Sequence, residues 1–268
     1  MAQYESMIAE TVRFNGHEGT QIDGYLARPM GPGPHGAVVL IHHMPGWDQA
    51  SKEMARKLAV NGYVTISPDF HYLQRQVVGT DASDADVSAY VREEGGMPDA
   101  RCMGDVSGAM DYLRSLPYVN GRIGVIGFCS GGRQTYLAAC TLDGISAAVD
   151  CWGGGVVRSE QEISERQPVA PIDLTSGIDC PLLGLFGDED TRPSPEAVAE
   201  TEAELKRLGK TYEFHMYPNA GHGFFAVDRP SYRQPAAVDG WEKVLAWFDR
   251  YLNAPVSAGA GLVGAGTD

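Results

Sequence analysis

Basic residues are scarce in this chain: 21 Lys and Arg stand against 35 Asp and Glu among 268 residues, a formal net charge of -14. Such a balance repels phosphate backbones and anionic membrane surfaces, which argues against nucleic-acid and lipid-surface partners. Long apolar runs are missing as well. No stretch of 18 apolar residues occurs, and the opening segment from Met1 to Phe14 is broken by Glu5, Glu10 and Arg13. Neither a membrane-spanning helix nor a signal peptide is therefore expected, and the chain reads as cytoplasmic. The cysteines, Cys102, Cys129, Cys140, Cys151 and Cys180, are odd in number and lack paired spacing, which speaks against a disulfide framework or a zinc cluster. Free thiols follow. There is no internal repeat and no Pro/Ser/Gly-rich linker at mid-chain. One α/β domain over residues 1–253 is expected rather than two halves of about 130 residues. A Gly/Ala-rich tail over 254–268 follows it.

What the sequence does contain is a rhythm. Apolar runs recur at Gly36 to His42, Tyr63 to Pro68, Arg122 to Phe128, Ile145 to Trp152, Pro181 to Phe186 and Tyr212 to Tyr217. Most are continuous rather than alternating, as in strands buried on both faces of a parallel sheet. Segments around Glu10 to Phe14 and Ile22 to Arg28 mix polar and apolar residues and suit an antiparallel edge. Helical spacing links Val106, Ala109, Met110 and Leu113, then Val198, Leu205 and Leu208, and finally Trp241, Val244, Leu245, Phe248 and Leu252. The alternation predicts a mostly parallel, doubly wound α/β sheet of about eight strands flanked by helices. Two polar stretches, His71 to Ala100 and Val157 to Ile178, break the rhythm and are expected over the carboxyl ends of the strands, where ligands bind.

The sharpest local signal is Gly127-Phe128-Cys129-Ser130-Gly131-Gly132, directly after an apolar strand and before a helix starting near Ser130. This is the nucleophile-elbow pattern Gly-x-Nuc-x-Gly with cysteine in place of serine. A side chain at Gly127 or Gly131 would collide with neighbouring backbone in so tight a turn. The nucleophile is thereby lifted at a helix N-terminus, whose dipole favours a thiolate. Taken alone, Cys129 could equally be a small core residue between turn-forming glycines. Its partners decide. An α/β-hydrolase needs its acid and then its histidine downstream of the nucleophile. Phe186-Gly187-Asp188-Glu189-Asp190 follows one strand, and Ala220-Gly221-His222-Gly223-Phe224 follows the next. Asp190 is the favoured acid, with Asp188 as the alternative.

A free thiol has a pKa near 8.5, so only a few per cent is ionised at neutral pH. In this reading His222 takes the proton of Cys129, Asp190 fixes the imidazole tautomer, and the thiolate attacks an ester carbonyl to give a thioester that water hydrolyses. The oxyanion needs two backbone donors. Ser130 supplies one. Met44, on the loop Ile41-His42-His43-Met44-Pro45-Gly46-Trp47, supplies the other, since Pro45 has no N–H. The neighbouring His42 and His43 point to opposite faces of a strand and have no evident third ligand, so no metal site is expected.

With these residues in hand, the chain resembles the dienelactone hydrolase (carboxymethylenebutenolidase) family of α/β-hydrolases from about Ile22 to Leu252. GFCSGG, the GDED loop before Pro-Ser-Pro, GHGF and a last helix with Trp241 carry the likeness. The resemblance implies hydrolysis of an enol-lactone to an oxo acid such as maleylacetate in the breakdown of chlorinated aromatics, by a cofactor-free, often monomeric enzyme with Cys129, Asp190 and His222 in the catalytic roles. Two departures stand out. Where family members carry a glutamate that pairs with the resting thiol, this chain has His43. Where they carry an arginine four residues beyond the catalytic histidine, it has Ala226, with Arg229 nearby but shifted. The other family arginine falls in the segment holding Tyr90 and Arg92, and Arg92 either substitutes for it or is a solvated helix residue. The expected substrate contacts are His43, Trp47, Tyr90, Arg92 and Phe224.

The partner expected is a small ester or lactone, with the chain a monomer or small homo-oligomer. Acyl transfer through the same cysteine and a non-catalytic binding protein of the same fold are the rival readings. Peptide hydrolysis has nothing in the sequence to hold an extended chain.

Overall fold

An uninterrupted apolar run such as Ala37 to Ile41 has no side to offer to water, so as a strand it must lie in a sheet covered on both faces. The computed structural model, which describes residues 6–253, places it there; the tail expected from Ala254 lies outside the described residues. Eight strands, β1 (Met7–Asn15), β2 (Gln21–Pro29), β3 (His35–Ile41), β4 (Val64–Pro68), β5 (Val119–Phe128), β6 (Ala147–Cys151), β7 (Leu182–Gly187) and β8 (Tyr212–Tyr217), form one sheet. Their order is β1-β2-β4-β3-β5-β6-β7-β8. β2 pairs antiparallel with both β1 and β4, and every other pairing is parallel. This is the mostly parallel, doubly wound sheet of an α/β-hydrolase. The mixed polar segments near the N-terminus form its antiparallel edge, as their alternation predicts. β8 closes the opposite edge, and most of its residues are only partly covered.

The sheet separates two apolar layers. Val38 and Leu40 of β3, Ile126 and Phe128 of β5 and Leu183 and Leu185 of β7 face helices α1 (Gln49–Val60) and α7 (Gln234–Phe248), which contribute Leu58, Val244 and Phe248. Ala37, Val39 and Ile41 point the other way, with Ile123 and Val125, onto α4 (Asp99–Ser115) and α5 (Ser130–Thr141) through Val106, Met110, Leu113 and Ala138. Each such fully buried Val, Leu or Ile contributes roughly 1.5–3 kcal/mol, so the central strands hold the sheet in register. Asp48 fixes the start of α1 by accepting the Ser51 N–H at 2.9 Å. Ser194 does the same for α6 (Pro195–Arg207).

The polar stretch His71 to Ala100 holds two short helices, α2 (Tyr72–Val78) and α3 (Asp84–Glu93). A capping box between Ser83 and Asp86 starts α3, and its buried valines, Val87 and Val91, form a stripe too short to stand out among its acids. The second polar stretch makes 3-10 turns at Glu160–Glu162 and Pro171–Gly177. The two stretches clasp each other beyond the carboxyl ends of the strands: Arg166 Nη2 pairs with Glu94 Oε2 at 2.7 Å, the Asp99 N–H donates to the Arg166 carbonyl at 2.8 Å, and Gln167 Nε2 donates to the Met97 carbonyl at 3.1 Å. No helix among the described residues is long and apolar enough to cross a membrane.

Candidate active site

The turn from β5 to α5 is made by glycines because nothing larger fits. A Cβ on Gly127 would land on the Gly131 carbonyl oxygen, and one on Gly131 would land on the Ile41 carbonyl oxygen of β3. Between them Cys129 adopts φ 57° and ψ -119°, a left-handed conformation that costs a non-glycine residue roughly 1–3 kcal/mol. Its N–H donates to the Cys151 carbonyl at 3.0 Å and its carbonyl accepts from Gly132 at 3.0 Å, so the strained residue is held on both sides. Of the five cysteines it alone is not buried.

His222 and Asp190 reach this residue from the loops after β8 and β7. Asp190 is buried, with Oδ2 2.8 Å from His222 Nδ1, and its Oδ1 accepts the Arg192 N–H at 2.9 Å. Asp188 and Glu189 are exposed, so of the three adjacent acids only Asp190 meets the imidazole. With Nδ1 engaged, Nε2 is left free, and the imidazole is near enough to Cys129 for each group to shift the other's proton affinity. Burial pushes the Cys129 thiol up, but the hydrogen bond and charge of His222, aided by the backbone N–H groups of Ser130 and Met44, bring it below its ordinary value. Burial pulls His222 down, yet its hydrogen bonds to Asp190 and Cys129 carry it up to about 10. The two shifts are coupled, since the charged form of each group favours the charged form of the other.

Met44 and Ser130, the two expected backbone donors, both line the cavity with Cys129. The loop that carries Met44 is braced from within. His42, fully buried against Phe70 and His71, engages the His43 carbonyl through Nδ1 at 2.8 Å. His43 turns away to Asp48, Nε2 to Oδ2 at 2.7 Å. Burial raises the Asp48 carboxyl, but His43 and the Ser51 N–H hold it down at about 2.

A cavity of about 440 Å³ opens over Cys129, His222, Met44 and Ser130. Of the five expected substrate contacts only Arg92, exposed near the end of α3, lines it. His43 is committed to Asp48. Trp47 donates Nε1 to the Ser67 carbonyl at 2.8 Å and lies under Lys52 Nζ. Tyr90 faces a separate surface hollow with Gln74 and Glu94. Phe224 is completely buried among Trp152, Tyr217 and Phe225, where it supports the His222 loop from below. Arg229 reaches to 4.0 Å from Asp48 instead of the cavity. In each case a neighbour in sequence points its side chain elsewhere in space.

Three arginines that sequence reasoning missed also line the cavity: Arg133 on α5, Arg158 after β6 and Arg192 after β7. Arg133 is 2% exposed and forms a two-pronged pair with Asp99, at 2.6 and 3.0 Å, while Gln134 Nε2 adds a bond to the same carboxylate at 2.9 Å. Nothing in the local sequence marks these positions, since long-range loop packing brings them together.

The geometry agrees with what the chain is similar to. The model of the dienelactone hydrolase family matches residues 22–252. A provisionally named carboxymethylenebutenolidase of Methylorubrum extorquens is 32% identical over 246 residues, covering 91% of this chain and 82% of its own. A Bradyrhizobium protein provisionally named 2-oxo-3-(5-oxofuran-2-ylidene)propanoate lactonase is 30% identical over 92% of this chain and 98% of its own. The crystal structure of a provisionally named dienelactone hydrolase from Klebsiella pneumoniae superposes with a TM-score of 0.83 at 28% identity, covering 92% of this chain and all of that one. The fold, the extent of the match and the relatives agree, and the chain belongs to the dienelactone hydrolase family of α/β-hydrolases.

Proposed function

We propose that this protein hydrolyses small esters or lactones through a thioester on Cys129, with His222 as proton carrier and Asp190 as its anchor. Membership of the family supports a hydrolase of small esters or lactones. The observation that supports the finer reading is the imidazole of His222, bonded to the buried Asp190 at 2.8 Å on one side and near enough to Cys129 on the other for each to shift the other's proton affinity.

The resting pair is a thiolate and an imidazolium. The sulfur attacks the carbonyl carbon, and the oxygen that becomes negative sits against the N–H groups of Met44 and Ser130. As the carbon–oxygen bond breaks, the leaving alkoxide takes the imidazolium proton. Water then enters, gives its proton to the now neutral His222 and attacks the thioester. Collapse of that second tetrahedral species releases the acid and restores the thiolate and imidazolium. In a lactone both products are one open-chain hydroxy or oxo acid. Because His43 is engaged by Asp48, the imidazolium and the two N–H groups are the partners of the resting sulfur in this reading. An enol-lactone in a cytoplasmic route for aromatic breakdown is the narrower substrate expected.

The test is a panel of short p-nitrophenyl esters and dienelactone with the wild type and Cys129→Ala. The expected result is turnover by the wild type, none by the alanine variant, and a mass increment of one acyl group on Cys129 after rapid quenching. Equal rates for the two proteins would remove the mechanism.

A further inference from the structure

His42 directly follows β3 and is wholly buried, its ring edge-on to Phe70 at 5.3 Å and to His71 at 4.6 Å between centroids. It is not among the residues lining the cavity that holds Cys129. Its two ring nitrogens are used unequally. Nδ1 lies 2.8 Å from the His43 carbonyl oxygen, which can only accept, so Nδ1 carries the proton. Burial holds the pKa of the ring below its ordinary value, which keeps it neutral and leaves Nε2 a bare acceptor. That nitrogen is buried with no hydrogen-bond partner among the described residues. An apolar side chain would fill the space without stranding a nitrogen, so packing alone does not account for a histidine here.

What Nδ1 holds is one end of a peptide unit. The His43 carbonyl also accepts the Gly46 N–H at 2.9 Å, across the turn made by Met44 and Pro45, so both of its lone pairs are engaged. The peptide between His43 and Met44 is trans, and in a planar trans peptide the C=O and the following N–H point in opposite directions. An oxygen pinned on His42 and Gly46 therefore turns the Met44 N–H to the side away from the His42 ring, and Met44 lines the cavity together with Cys129. Two donors on one carbonyl also polarise the amide and strengthen its N–H as a donor. The backbone of His42 abuts the elbow as well, since a Cβ on Gly131 would fall 2.7 Å from its carbonyl oxygen. One residue thus touches the nucleophile turn through its backbone and the donor peptide through its ring.

We propose that His42 is a positioning residue for the attack of Cys129: its Nδ1–H fixes the plane of the His43–Met44 peptide so that the Met44 N–H meets the oxyanion as it forms. The proposal rests on the hydrolytic reading above and adds to it a residue that touches neither substrate nor nucleophile side chain.

Removing an oxyanion donor outright costs about a hundredfold to a thousandfold in kcat, so freeing one to turn should cost about tenfold to a hundredfold. With short p-nitrophenyl esters, His42→Leu is expected to lose that much in kcat with KM little changed, because the oxyanion exists only on the way through the transition state. His42→Asn, whose amide N–H can take the place of Nδ1, should stay within about threefold of the wild type. Alkylation of Cys129 by iodoacetamide develops no oxyanion, and its limiting rate at high pH should stay within about twofold in both variants. Equal losses of esterase and alkylation rates would mark a merely structural histidine and overturn the proposal. So would an asparagine variant no better than the leucine one, or a leucine variant as fast as the wild type. Where a variant fails to fold, the wild type decides. Nitrogen NMR of its histidine rings should show His42 protonated on Nδ1, and that proton's signal should move when the Cys129 thiolate adds to the carbonyl of an aryl trifluoromethyl ketone and leaves a tetrahedral oxyanion. A proton on Nε2 instead, or a signal that stays in place, would refute the role. If the wild type neither turned over an ester nor added to the ketone, the hydrolytic reading would fail and the role of His42 with it, whereas turnover with any of the contrary results above removes His42 alone.

Discussion

On the proposed mechanism the acidity of the Cys129 thiol depends on His222 and should be lost when the ring is removed. Below the pKa of Cys129 the nucleophile is protonated, and above that of His222, raised to about 10, the ring has no proton to give. Plotted against pH, kcat/KM should therefore rise through an acid limb below the 8.5 typical of a free thiol and fall again on the alkaline side. In His222→Ala the partly buried thiol loses the partner that offsets its desolvation, so its alkylation midpoint should move upward, and esterase activity should drop about a thousandfold. Iodoacetate alkylation followed across pH reads the first, and steady-state kinetics the second. Gly127→Ala belongs at the same scale. Its methyl group would overlap the Gly131 carbonyl oxygen, and a loss of about 3 kcal/mol in urea unfolding is expected.

Single residues are also where the sequence was least legible. Asp188, Glu189 and Asp190 are indistinguishable in a string of letters, and only the burial of Asp190 beneath His222 separates them. Phe224 stands two positions from His222 but points into the core, because the positive φ of Gly223 reverses the chain between them. Gly127 and Gly131, in contrast, were predictable from steric reasoning alone, since a turn that lifts a nucleophile leaves no room for a Cβ at either place.

Among the elements, α4 and α5 meet at Arg133 and Asp99, both nearly inaccessible to water. Two desolvated charges are tolerated there because each satisfies the other and because the Gly155 and Val169 carbonyls take further N–H bonds of Arg133. Removing one partner leaves the other stranded. Asp99→Ala should thus cost about 3–5 kcal/mol, and replacing both residues by apolar ones should recover much of the loss, a contrast that chemical denaturation of the single and double variants would measure. The strands and the longer helices were legible because their periodicity reflects burial on the sheet. α2 and α3 were not, since short polar helices held by Ser83 and a pair of valines show little periodicity.

For the whole molecule, the distribution of thiols is a simple readout of the fold. Cys102 and Cys151 are buried, and their thiols are pushed well above the ordinary value by burial and then by neighbouring carboxylates. Burial likewise raises Cys140 to about 12 and Cys180 to about 11. Native protein should accordingly take up one iodoacetamide per chain, on Cys129, and denatured protein five, as counted by intact mass. More than one rapid addition to the native chain would show that the layers over the sheet are looser than drawn. The topology as a whole was the most legible feature, because strand, elbow, acid and histidine recur along the chain in the order that an α/β-hydrolase requires.

The clasp between Glu94, Met97 and Asp99 on one side and Arg166 and Gln167 on the other roofs the cavity without contributing to the sheet. Insertions or deletions in either segment would resize the chamber while leaving sulfur, imidazole and carboxylate where they are. Two surface excursions could thus be recut to exchange one ester for another without refashioning the reaction itself.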